Sequence, residues 1–159
     1  MKSNGLMKLA VNVLVPVAGG TLTGYLASRN TKEIYRDLKK PGFPPPSWVF
    51  PIVWTGLYTL MGAARYRVAS KQSQDPKSLA FYNTQLGLNF LWSFLFFKWG
   101  LRGTAFLEVA MLFSMVTLTG YEFYQEDKAA GLAMVPYALW AAFAMALNYS
   151  VWKLNRQKS

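Results

Sequence analysis

Five long apolar stretches constrain the fold of this chain more than any other sequence feature. Four contain no charged residue and one contains a single acid, Glu108; they cover residues 9–28, 48–64, 78–97, 103–121 and 129–152. A helix of about 20 residues crosses the hydrocarbon core of a bilayer. A soluble helical bundle, the alternative, would show a charged face at helical period, and residues 78–97 show none. The sequence therefore predicts an all-α integral membrane protein, a bundle of five transmembrane helices.

The predicted helices form a single domain over residues 1–159, with approximate bounds 6–28, 48–69, 78–98, 103–124 and 129–153. The first helix resembles a signal peptide, because basic residues precede an apolar run. It lacks an A-x-A cleavage site, so we expect it to stay uncleaved. The lone Glu108 is expected to face the bundle interior, a lipid headgroup or a subunit contact.

The chain carries 17 Lys and Arg residues against 7 Asp and Glu residues. With five spans the termini lie on opposite sides of the membrane, and more of the basic residues fall on the C-terminal side. The positive-inside rule then predicts a cytosolic C-terminus. Anionic membrane lipid accounts for the excess of positive charge. No nucleic-acid partner is predicted, because no basic face is interleaved with exposed aromatic residues.

The sequence contains no cysteine and no histidine. This excludes disulfides, thiolate nucleophiles, histidine-dependent triads and histidine haem ligands. Glycine-rich phosphate-binding loops are also missing. We therefore predict no metal site and no required cofactor, and an enzyme is the less favoured class.

A proline-rich segment, KKPGFPPPSWVFPIVW at residues 39–54, precedes the second predicted helix. Proline fixes φ and restrains the residue before it, so this connector should be stiff and non-helical. Residues 39–47 could then form the lid of a cavity at the mouth of the bundle. The alternative is a simple connector without a ligand role.

Aromatic and amide side chains recur at helical spacing on three of the predicted helices. The stripes are Trp54, Tyr58 and Met61; Gln85, Asn89, Trp92 and Phe96; and Trp140, Ala144, Leu147 and Asn148. Amides facing lipid are unfavourable, so these stripes should face inward. They predict either an aromatic cavity for a flat, hydrophobic ligand or a core in which the amides bond between helices.

Small residues recur four apart at two places, Gly20 with Gly24 and Ala138 with Ala142 and Ala146. This spacing allows close helix contact inside the bundle or between two protomers, so a homodimer is one prediction. The segment LNYSVWK also fits a loose sterol-contact pattern through Leu147, Tyr149 and Lys153.

Three segments resemble the translocator protein family, also called tryptophan-rich sensory proteins or peripheral benzodiazepine receptors. They are KPGFPPPSWVFPIVWTGLYTLMG, QLGLNFLWSFLFF and PYALWAAFAMALNYSVWK, and the resemblance covers nearly the whole chain in the same order. It implies a five-helix membrane bundle, often dimeric, that binds porphyrins such as protoporphyrin IX or a haem-related tetrapyrrole, sterols and synthetic drug-like ligands. It also implies a location in a bacterial or mitochondrial outer membrane.

The resemblance further implies a ligand pocket and a sterol motif. The pocket residues would be Gly24, Ala27, Phe50, Pro51, Val53, Trp54, Asn89, Trp92, Trp140, Ala144, Leu147 and Asn148, with Leu147, Tyr149 and Lys153 as the sterol motif. The chain departs from some members at Thr104, where they have a pocket tryptophan.

Two functions follow from this reading. The first is a binding module for transport or sensing, in which a porphyrin or sterol stacks on Trp54 and Trp140. The alternative is enzyme-like, light-dependent degradation of porphyrin at the same two tryptophans, which are redox-active. Binding is favoured because acid–base pairs and cofactor ligands are missing.

Overall fold

Helices account for the whole regular structure of the computed structural model, which describes residues 2–29, 39–42, 48–71 and 76–155. The helices in these ranges are α1 Lys2–Ser28, α2 Val49–Ala69, α3 Pro76–Ser93, α4 Arg102–Glu126, α5 Lys128–Ala133 and α6 Val135–Leu154. A π-helical turn, Phe94–Lys98, extends α3. Because α5 and α6 form one apolar run, Lys128–Leu154, the described chain makes five helical rods.

Three of the described rods are long and apolar enough to cross a membrane, by length and composition: Asn4–Ala27, Arg102–Glu126 and Lys128–Leu154. Large apolar side chains point outward from them. Leu107 is 66% exposed and Leu139 is 67% exposed. Such surfaces are unfavourable in water over a large area and are typical of helices that face lipid.

The interior combines apolar packing with buried polar residues. The core runs along the facing sides of α2, α3, α4 and α6, through residues such as Met61, Val109 and Val116. Glu108 also faces the interior, and neither of its carboxylate oxygens has a hydrogen-bond partner in the described chain. The structure thus places the lone acid of the fourth stretch inside the bundle.

Helices α1 and α2 approach closely at Gly62. A Cβ atom built on Gly62 would lie 2.4 Å from the carbonyl oxygen of Asn12 and 2.7 Å from the Cα atom of Val13. Pro16 lies inside α1 and has no N–H to donate to that carbonyl four residues earlier. Only glycine fits here, because the neighbouring atoms belong to the backbone and cannot move aside.

Asp127 joins α4 to α5 and also ties this junction to α2. Its carboxylate accepts a 3.1 Å hydrogen bond from the backbone N–H of Ala130, which makes it the N-cap of α5. The same carboxylate lies 3.2 Å from a guanidinium nitrogen of Arg67 and 3.4 Å from Nζ of Lys71. Burial opposes ionisation, but the Ala130 amide and the two cations outweigh it, so the pKa of Asp127 lies below its ordinary value.

We expect the contribution of Asp127 to stability to disappear in acid. A carboxyl with a lowered folded pKa stabilises the fold above its unfolded pKa of about 3.9 and loses this contribution as the pH falls through the folded value. Asp127→Asn should therefore melt a few degrees below the wild type at pH 7, since each exposed ion pair contributes about 0.2–1 kcal/mol. The two melting temperatures should converge below about pH 3.9. A difference between the two melting temperatures, measured in detergent, that stays constant below this pH would contradict the stabilising role of the Asp127 carboxylate.

Candidate functional site

A cavity of about 910 Å³ lies between α1, α2, α3 and α6. Its wall includes two residues of the proline-rich segment, Lys40 and Trp48. The lining residues are Gly20, Thr21, Gly24, Tyr25, Lys40, Trp48, Phe50, Pro51, Trp54, Thr55, Tyr58, Trp92, Ser93, Phe96, Phe97, Trp140, Phe143, Ala144, Leu147 and Asn148. This volume is at the upper end of the range for drug-sized ligand pockets, about 300–1,000 Å³.

Trp54 is the centre of one aromatic wall. Its ring is stacked on Tyr58 with centroids 5.5 Å apart and meets Trp140 edge-on at 6.3 Å. Trp140 in turn contacts Phe50 at 5.6 Å and Phe143 at 4.9 Å. Offset and edge-to-face contacts of this kind hold the rings in fixed orientations. The wall is therefore a rigid aromatic surface built from α2 and α6.

A second aromatic wall comes from the end of α3. Trp92 stacks on Phe96 at 5.1 Å and meets Phe97 edge-on at 5.9 Å. The π-helical turn, in which the N–H of Trp99 bonds to the carbonyl of Phe94, places an extra residue in this turn. As a result, both consecutive phenylalanines line the cavity.

Asn148 fixes the position of Trp92. Its Oδ1 accepts a 2.8 Å hydrogen bond from the indole N–H of Trp92, and its Nδ2 donates to the carbonyl of Arg102 at 2.9 Å. The amide therefore connects the cavity wall to the first residue of α4. Both of its polar ends are bonded to protein.

Asn89 holds Tyr58 from behind the cavity. Its Oδ1 accepts a 2.5 Å hydrogen bond from the Tyr58 hydroxyl, and its Nδ2 donates to the Tyr137 hydroxyl at 2.7 Å. All three residues are buried. Tyr58 is also packed against α1, because a Cβ atom on Gly20 would lie 2.1 Å from its ring. The Tyr58 ring is thus held on two sides.

Most residues of the predicted pocket line this cavity: Gly24, Phe50, Pro51, Trp54, Trp92, Trp140, Ala144, Leu147 and Asn148. Three lie outside the lining. Ala27 is fully buried, Val53 packs against the core, and Asn89 contacts the cavity only through Tyr58. Thr104, the position of departure from the family pattern, is exposed and does not line the cavity either.

The lining also contains residues that were not predicted for the pocket. Phe143 lies one turn from Trp140 on α6, so extending that stripe by one turn would have found it. Thr21 and Tyr25 lie beside Gly24 on α1, where no aromatic stripe was predicted. Phe97 follows from the π-helical turn, which a regular helical period does not contain. Lys40 and Trp48 belong to the proline-rich segment.

The start of the predicted lid is attached to the end of α6. The backbone N–H of Lys39 donates to Oδ1 of Asn155 at 3.1 Å, and Nδ2 of Asn155 donates back to the Lys39 carbonyl at 2.8 Å. Residues 43–47 of the predicted lid lie outside the described residues.

The predicted sterol motif is divided between two surfaces. Leu147 lines the cavity, whereas Tyr149 and Lys153 are exposed on the outside of α6. Tyr149 packs against Phe106 of α4, with ring centroids 5.3 Å apart. The motif residues therefore do not share one pocket.

The site can bind but offers little for acid–base or metal chemistry. In the described ranges, no group of three or more acidic residues could hold a metal ion. The polar ends of Asn148 are occupied, and the hydroxyl of Thr55 donates to the Pro51 carbonyl at 2.8 Å. A large, rigid, aromatic cavity of this kind suits a flat, apolar molecule.

Comparison with known proteins gives consistent matches over most of the chain. The family model described as TspO/MBR family matches residues 12–153. A tryptophan-rich sensory protein of Cereibacter sphaeroides is 42% identical over 123 residues, which cover 77% of each chain. A tryptophan-rich protein TspO of Archaeoglobus fulgidus is 36% identical over 154 residues, with 94% of this chain and 98% of the relative covered. A translocator protein of Sus scrofa is 33% identical over 156 residues, with 89% and 91% covered.

Proposed function

The chain belongs to the TspO/MBR family, and from this premise we propose that it is a membrane receptor or transport protein whose aromatic cavity binds a flat, hydrophobic ligand. A porphyrin such as protoporphyrin IX is the first candidate, followed by sterols and drug-like molecules. The observation that supports this most is the cavity of about 910 Å³ with two aromatic walls, one at Trp54 with Trp140 and one at Trp92 with Phe96.

The lining chemistry supports a planar ligand with a charged edge. Ring faces on two walls can stack on a macrocycle, and Lys40 adds positive charge to the lining beside the loop. A porphyrin carboxylate near Lys40 would be favoured electrostatically. The ligand would then lie with its apolar plane between the tryptophans and its acidic edge toward the mouth.

The second candidate, light-dependent porphyrin degradation, is supported by the cluster of oxidisable rings around Trp54. Tyr58, Tyr137 and Trp140 all lie within 6.3 Å of it, centroid to centroid. Bleaching of bound porphyrin under light that is lost in a Trp54→Phe, Trp140→Phe variant would favour this function. Bleaching at the same rate in both proteins would exclude a role for these rings.

Membrane placement and assembly are part of the proposal. We place the protein in a bacterial or mitochondrial outer membrane, with the C-terminus on the side that carries more of the basic residues, which is the cytosol in the mitochondrial case. A homodimer stays a prediction. Within the chain, Gly20 packs against Tyr58, so this small residue already serves a contact inside the bundle.

Removing either central tryptophan is expected to weaken ligand binding. In a dark titration of the detergent-purified protein with protoporphyrin IX, Trp54→Ala and Trp140→Ala should each raise the Kd by roughly tenfold or more, because truncating a buried aromatic anchor costs about 2 kcal/mol. Trp99→Ala is the matched control, since Trp99 is exposed and lies outside the cavity lining. Equal quenching in all variants at unchanged melting temperature would show that the ligand does not occupy this cavity.

A further inference from the structure

A second cleft lies between α1, α2 and α3 and shares no residue with the aromatic cavity. It has a volume of about 220 Å³. Its lining residues are Val11, Asn12, Val15, Pro16, Arg65, Tyr82, Asn83 and Leu86. One side of the cleft is therefore apolar and the other carries hydrogen-bond donors, and no acidic residue is in the lining.

Arg65 is the charged group of this cleft. Its Nη1 donates to Oδ1 of Asn12 at 2.6 Å, and its guanidinium carbon lies 5.6 Å from the centre of the Tyr82 ring. It pairs with no carboxylate of the described chain, unlike Arg67, which binds Asp127. A guanidinium has five N–H donors in a planar fork, so Arg65 can still bind an anion through two of them.

Tyr82 adds an unsatisfied donor. The residue is only 1% exposed, and its hydroxyl has no hydrogen-bond partner in the described part of the chain. Its ring is fixed by stacking on Phe123 at 5.9 Å. A buried hydroxyl without a partner is costly. A ligand acceptor that reaches this hydroxyl would remove this cost.

The open side of the cleft faces the lipid surface. Val11 is 53% exposed and Val15 is 55% exposed, and both lie on α1, whose apolar face points outward. Arg65 lies four residues before the end of α2 at Ala69, which is about 6 Å along the helix axis. A long cationic side chain near a helix end reaches the headgroup layer. A ligand that enters here comes from the membrane and presents an anionic head.

We propose that this cleft binds the phosphate group of an anionic phospholipid. Arg65 holds the phosphate oxygens through its fork, the Tyr82 hydroxyl donates a hydrogen bond, and an acyl chain lies along Val11 and Val15. Phosphatidylglycerol fits better than phosphatidylcholine, because no acidic residue in the lining would receive the choline ammonium. Free inorganic phosphate shares the same recognition chemistry, and the experiment separates the two sources.

The test counts lipids bound to the delipidated, detergent-purified full chain by native mass spectrometry. Phosphatidylglycerol should bind the wild type at least several-fold more tightly than phosphatidylcholine. Arg65→Gln should weaken phosphatidylglycerol binding by roughly tenfold, as expected for loss of a charge-assisted bidentate contact. Arg67→Gln, which removes an exposed arginine two residues away that pairs with Asp127, is the matched control and should change binding less than twofold.

Three other outcomes would each support or overturn the proposed lipid site. Equal affinity of the wild type and Arg65→Gln for phosphatidylglycerol would overturn the site. If inorganic phosphate alone raises the melting temperature as much as phosphatidylglycerol does, and this rise is lost in Arg65→Gln, the ligand is a free anion and the lipid assignment fails. If Arg65→Gln does not fold, Tyr82→Phe decides, because it deletes one hydroxyl and keeps the ring. It should weaken phosphatidylglycerol binding several-fold, and unchanged binding would overturn the proposal.

Discussion

Replacing Asn89 by leucine is expected to lower the free energy of unfolding by about 2–6 kcal/mol, because two buried hydroxyls each lose a partner at about 1–3 kcal/mol. These hydroxyls belong to Tyr58 and Tyr137, which Asn89 bridges at 2.5 and 2.7 Å. The melting temperature in detergent measures the effect. It should fall by many degrees while the helical content at low temperature is kept.

A triple variant separates the hydrogen bonds from simple loss of packing. Tyr58→Phe, Asn89→Leu, Tyr137→Phe removes both hydroxyls together with the amide, so none of these three positions leaves an unpaired polar group. This variant should recover more than half of the stability lost in Asn89→Leu. A triple variant that is as unstable as the single one would show that the amide acts through its shape.

Asn89→Leu should also weaken ligand binding, although Asn89 does not line the cavity. Tyr58 lines it and stacks on Trp54, and Asn89 holds its hydroxyl. Freeing the Tyr58 ring removes a fixed surface that a planar ligand would use. Unchanged porphyrin affinity in a folded Asn89→Leu protein would contradict this role.

Adding one methyl group at Gly62 is the second substitution with a large expected effect. Its Cβ atom would meet the carbonyl oxygen of Asn12 at 2.4 Å, so α1 and α2 must separate. Overpacking of this kind costs about 1–3 kcal/mol and more where the neighbouring atoms cannot yield. We expect Gly62→Ala to lower the melting temperature clearly and to weaken the α1 contact.

Gly56→Ala is the matched control on the same helix. Gly56 is exposed, and a Cβ atom there meets nothing within 4 Å. Since alanine favours a helix over glycine by about 1 kcal/mol, this variant should be unchanged or slightly more stable. Similar losses in both variants would mean that Gly62 is needed for some other reason than close approach.

The family and the fold class were predictable from the sequence, and both are confirmed. The uncharged stretches and the three tryptophan-containing segments were sufficient, because helix length and lipid exposure leave few alternatives for such a chain. The inward stripes also placed Trp54, Trp92 and Trp140 around one space, where the structure has its cavity.

Features that depend on contacts between different helices could not be predicted from the sequence. A helical period puts Asn89 on the inner face of α3, but only the positions of Tyr58 and Tyr137 decide that it bonds to them and lies behind the cavity wall. Phe97 lines the cavity because α3 ends in a π-helical turn, which no periodic pattern indicates. Arg65 is one of 17 basic residues in the sequence, and that no carboxylate of the described chain pairs with it is visible only in three dimensions.

The reciprocal hydrogen bonds between Lys39 and Asn155 would make the residence time of a ligand that passes Lys40 depend on Asn155, the residue that caps α6. Lys40, the next residue, lines the cavity, so an opening movement of the chain at Lys39 breaks both bonds. At about 1 kcal/mol net for each bond, the two together slow such an opening by roughly thirtyfold. A ligand that passed this side would arrive and leave more slowly by the same factor, so the Lys39–Asn155 hydrogen bonds would change how long it stays without changing how tightly it binds.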